Sequence, residues 1–124
     1  MPAINFMPQF APLIESGEKT QTIRKVRKKL QKIKVGDTLY LYTGQRTKAC
    51  RMIRTTRCVC ATPIEISRSA LSAFVVLGND QLSLQERLRL AQADGFDTAA
   101  EFVGFFEENY GLPFHGVLIK WGDV

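Results

Sequence analysis

The stretch IESGEKTQTIRK, Ile14 to Lys25, decides how the chain reads. Phe10, Leu13 and Ile14 stand at the i, i+3, i+4 spacing of a helix face, and Pro12 suits a first turn. Gly17 stands where a helix commonly stops, because a left-handed residue costs glycine little. From Thr20 the period changes to two. Thr22 and Arg24 then share one strand face, and Gln21, Ile23 and Lys25 the other. Strict alternation puts Lys19 on the face opposite Thr22, so any convergence of the two depends on the turn. The stretch therefore predicts a helix end, a glycine turn and a strand, with charged side chains gathered at the turn.

Working outward, Ala3-Ile4-Asn5-Phe6 alternates weakly as a first strand, and VRKKLQKIKVGD reads as a basic linker ending in a turn at Gly36-Asp37. TLYLYTG is a strand of high β-propensity closed by Gly44. ACRMIRTTRCVCATPIEIS is long for one strand and predicts two segments or one bent strand, with Pro63 near the bend. The run SALSAFVVLGND fits helix or strand before a Gly-Asn-Asp turn. Ser83-Leu84-Gln85-Glu86 has the form of a capping box, and Leu84, Leu88 and Ala91 predict the apolar face of its helix. Thr98 caps a second helix whose Phe102, Phe105, Phe106 and Tyr110 form an aromatic stripe, read as core. HGVLIKW closes the chain as a strand.

At 124 residues the chain predicts a single domain, residues 1–124. The order of elements predicts an α+β fold, a small curved sheet or barrel carrying helices at its ends. No run approaches the roughly 18 apolar residues of a membrane helix, and the start lacks a secretory pattern. A cytoplasmic location is expected. Cys50, Cys58 and Cys60 are odd in number and lack paired metal-ligand spacing, so free thiols are expected and no metal. The single His115 has no partner motif for a triad or a two-histidine pair. GEKT lacks the second glycine of a phosphate-binding loop, which excludes that class of nucleotide hydrolase. No cofactor is implied.

The net charge of +5 is concentrated in Lys19 to Lys34 and in Arg46 to Arg57, which points to a polyanionic partner or to a solvated surface. Lys19 beside the turn reads as a base, Thr22 as a hydroxyl on the strand and Arg24 as an anchor for a carbonyl or phosphate. Asp94, in the loop between the two helices, reads as the acid. Lys25 and Lys28 supply non-specific attraction to nucleic acid. Tyr40 and Tyr42, on one strand face, read either as a stacking platform for a base or as core.

The elements G-x-K-T-x-T-x-R at Gly17 to Arg24, VGDTLYLYTG, ADGF and the closing GVLIKW together resemble the ASCH-domain family, relatives of the PUA fold. The resemblance implies a PUA-like small curved β-barrel with flanking helices and a cleft between the two. It implies binding of RNA, or of a nucleotide- or nucleoside-like ligand, along Lys19, Thr22, Arg24 and Asp94. The alternative it implies is an amidohydrolase that deacylates N4-acylcytidine-type substrates, with Lys19 as base, Thr22 as nucleophile and Asp94 approximately at the position of the proton donor.

Overall fold

A computed structural model describes residues 3–25, 33–68 and 73–122. The linker lysine Lys28 and most of the basic linker lie outside the described residues. Strand β1 (Ala3–Phe6) leads through a 3-10 turn (Pro8–Phe10) into helix α1 (Ala11–Ser16). Gly17, at φ 85°, ends α1, and its N–H bonds to Ile14 O at 3.2 Å. Strands β2 (Gln21–Lys25), β3 (Thr38–Thr43), β4 (Arg51–Arg68), β5 (Ala73–Leu77) and β6 (Asp80–Gln81) follow. Helices α2 (Leu84–Ala93) and α3 (Ala99–Tyr110) then precede the last strand, β7 (Phe114–Gly122).

Strand β4 organises the sheet. Arg57 pairs with both Thr38 of β3 and Gly122 of β7, and Ile64 with both Leu77 of β5 and Gly116 of β7. Strands β3 and β5 thus share one edge of β4, and β7 runs along the other. The expected bend comes at a register shift between Cys58 and Cys60 rather than at Pro63. Pro63 sits inside β4, and its carbonyl accepts from Gly78 N–H at 2.8 Å. Its missing N–H therefore points at the turn after β5, where no ladder bond is lost. The ambiguous middle run is strand: β5 and β6 form a hairpin across Gly78.

The β-barrel expectation is overturned. The fold is α+β with a seven-stranded mixed sheet that does not close. Strand β1 pairs only β3, in parallel, and β2 pairs only β7, so no ladder among the described residues joins the two ends. A side chain stands between them instead: Arg24 Nη2 donates to Asn5 O at 2.7 Å. With no closed barrel, the resemblance to the ASCH and PUA-like folds does not hold.

Two cores lie on opposite faces of this sheet. Successive residues of β7 show it, since Leu118 joins Ile23, Ile66, Val75, Phe102 and Phe106, whereas Ile119 joins Ile4, Phe6, Ile14, Leu39 and Trp121. The aromatic stripe of α3 is core at Phe102 and Phe106, with Phe105 and Tyr110 at the surface. The predicted face of α2 is only partly right. Its capping box forms, Ser83 Oγ accepting from Glu86 N–H, but Leu84 and Leu88 are exposed and the buried pair is Leu90 and Ala91. The apolar packing of the helix is through Leu90 and Ala91, while Arg87 one turn earlier donates to Ala73 O of β5, so leucine spacing at its start does not mark the buried face.

Candidate functional site

The site forms where two helices end. At the end of α1, Lys19 N–H returns to Leu13 O at 2.9 Å, which fixes the backbone from which the lysine side chain leaves. At the end of α2, Gly95 N–H bonds to Gln92 O at 3.1 Å and Phe96 N–H to Ala91 O at 2.9 Å. This is the Schellman pattern, with Gly95 at φ 100° as its left-handed residue. Phe96 completes it by packing on Phe102, ring centroids 5.7 Å apart. The motif holds Asp94 at the C-cap, just past Ala93, where a carboxylate stands against the helix dipole.

Lys19 Nζ and Asp94 Oδ1 meet at 3.6 Å, with side chains 7% and 10% exposed. Burial pushes the Lys19 pKa below the ordinary lysine value; Asp94 partly restores it, and the charge of Arg24 lowers it further. Burial raises the Asp94 pKa above the ordinary carboxylate value, against the opposing pull of Lys19, Gln21 and Arg24. Both shifts run toward the uncharged forms, and the charge of each group opposes the shift of the other. Phe10 stacks on the ammonium, its centroid 5.1 Å away.

Gln21, which the motif reading missed, stands beside the pair. It is buried, and its amide approaches the Asp94 carboxylate, yet Gln21 Nε2 and Asp94 Oδ1 make no protein hydrogen bond of good geometry. Alternation sets Gln21 on the same side of β2 as Lys19. Thr22 and Arg24 take the opposite side of β2. Arg24 Nε donates to Thr22 Oγ1 at 3.0 Å, and its guanidinium covers the Phe6 ring at 4.7 Å.

A groove of about 130 Å³ opens over the pair, lined by Phe10, Leu13, Glu18, Lys19, Asp94 and the turn Gln92-Ala93 with Gly95. Sites that take drug-sized ligands run to roughly 300–1,000 Å³. The groove admits something much smaller. Gln21, Thr22, Arg24, Lys25, Tyr40 and Tyr42 are not among its lining residues. Lys25 is exposed at the end of β2, and the two tyrosines are half-buried along β3.

No protein-family model matches the chain, and neither a curated protein nor a solved structure matches it. The expected functions are corrected with the fold. The expected RNA or nucleotide binding rested on a cleft between a closed barrel and its helices, and the described residues form no closed barrel. The amidohydrolase alternative loses the same cleft, and Thr22 is buried with its hydroxyl held by Arg24. The basic residues are also partly committed within the chain, Arg51 to Glu15 at 2.6 Å and Arg68 to Glu107 at 3.5 Å. The descriptions nucleic-acid binding and hydrolase go with them. Among the described residues no cluster of three metal-ligating side chains occurs, and no helix is long and apolar enough to cross a membrane.

Proposed function

We propose that the chain carries a proton-transfer site for a small, uncharged polar molecule, with Lys19 and Asp94 as the exchanging pair. The observation that carries this reading is the desolvated pair at 3.6 Å, both members of which line a groove. At ~30 Å³ per water-sized unit the groove has room for about three to five heavy atoms. Phe10 and Leu13 would pack the alkyl part of such a molecule. The pair has no net charge and Glu18 stands at the rim, so a neutral ligand is favoured over an anion.

The test is a titration with acetamide, followed by NMR of the Gly95 backbone amide and of the Phe10 ring, both of which line the groove, with acetate as the comparison. Acetamide is expected to shift both signals saturably, and acetate is not. Equal response to both, or shifts spread over the surface, would remove the reading.

A further inference from the structure

We propose that α2 is a lid over the groove, its C-terminal turn swinging away from the turn after α1, with the Lys19–Asp94 pair as the contact that holds it shut. Phe10, Leu13, Glu18 and Lys19 form one wall of the groove, and the turn Gln92 to Gly95 forms the other. The two walls belong to different cores. Ile14 of α1 lies in the core with Leu39 and Trp121, whereas Leu90 and Ala91 of α2 lie in the core with Phe102 and Phe106. The groove is therefore a seam between the cores, and the pair crosses it at 3.6 Å.

The α1 side of the seam is the better anchored. Lys19 N–H bonds to Leu13 O, Thr20 O accepts from Trp121 N–H of β7 at 3.0 Å, and Arg54 of β4 donates to Ile14 O at 3.3 Å. Helix α2 leaves Leu84 and Leu88 exposed and buries only Leu90 and Ala91, with Arg87 donating to Ala73 O. Its closed position also carries a cost. Among the described residues four buried side-chain N or O atoms lack a hydrogen-bond partner within the chain, and three of them belong to the closed contacts of α2: Arg87 Nε, Asp94 Oδ1 and, beside Asp94, Gln21 Nε2. Unmade buried hydrogen bonds destabilise, and lifting the turn returns these atoms to water. Closure sets the packing of two apolar side chains against three unsatisfied polar atoms, a narrow balance of the kind that lids require. Ser83, extended, and Gly95, at φ 100°, bound the helix, and such element-terminal residues absorb hinge rotations. The lid governs entry whatever the groove binds, so it can fail while the small-molecule reading stands.

The experiment takes the full chain carrying Ala91→Cys, a small change at a fully buried position on α2, and follows thiol labelling site by site. Cys58, buried in the other core, is the reference for global unfolding. The introduced thiol is expected to label about tenfold or more faster than Cys58, and labelling at the same rate overturns the lid. Adding Asp94→Asn should speed the introduced thiol by the same factor as Cys58, because lid opening and unfolding both lose the pair. An introduced thiol that keeps its rate while Cys58 speeds up would show that the pair survives opening, which overturns the proposal. Should Ala91→Cys fail to fold, relaxation dispersion of the backbone amides of the native chain is the second measurement. Exchange on the microsecond-to-millisecond scale confined to α2 and its turn supports the lid, and flat profiles there overturn it.

Discussion

Lys19 and Asp94 are held 3.6 Å apart by two glycine-terminated helix ends, α1 turning at Gly17 and α2 at Gly95. Each partner is costly alone in that position. Asp94→Asn is expected to destabilise the fold by about 2–3 kcal/mol, somewhat less than the roughly 3–5 kcal/mol of a fully enclosed pair, because the groove admits water. The double variant Lys19→Met with Asp94→Leu should be neutral or more stable than the native chain, since it removes both desolvation penalties. Urea unfolding of the variants measures both outcomes.

The same pair predicts a pH signature. Asp94 binds its proton more tightly in the folded chain than in the unfolded one, so between its ordinary pKa and the raised one stability falls as pH rises. Lys19 is shifted the other way. Between its lowered pKa and the ordinary one the unfolded chain binds more protons, and stability rises with pH. The difference in unfolding free energy between the native chain and the double variant should therefore be least favourable to the native chain near neutrality and recover at about pH 4 and about pH 10.

Gln21 tunes the pair. Its amide lowers the Asp94 pKa against the effect of burial, so Gln21→Leu should raise the Asp94 pKa further. The same change removes a buried donor without a partner of good geometry, so stability should stay within about 1 kcal/mol of native or rise. NMR titration of the Asp94 carboxyl carbon and thermal unfolding, run on the same samples, check the two halves.

Gly116 is fixed by close packing. A Cβ there would meet Arg24 O and stand 2.6 Å from the Phe114 ring, where β2 and β7 pair. Gly116→Ala is expected to cost about 2–4 kcal/mol, because backbone cannot yield as a side chain can. A loss under about 1 kcal/mol in urea unfolding would contradict this.

The local elements were legible because short-range chemistry sets them. Gly17, the Ser83–Glu86 capping box and the Thr98 cap all act within one turn of the chain, and each stands where its residue types demand. Closure of the sheet was not legible, because it depends on whether β1 and β2 meet, and an Arg24 side chain occupies that position. The helix face of α2 misled for a similar reason: Leu84 and Leu88 repeat at helical spacing yet both are exposed. At the site, the loop acid and the turn lysine were each visible singly, whereas Gln21 was passed over although alternation had already set it beside Lys19. A neutral amide carries no charge signal, and only its burial without a partner marks it.

Direct NMR titration of the Asp94 carboxyl carbon and the Lys19 side-chain nitrogen decides whether the two groups are coupled at the groove. Asp94 is expected to titrate above the ordinary carboxylate value, Lys19 below the ordinary lysine value, and each to move when the other is replaced. Two ordinary, independent titrations would rule the coupling out.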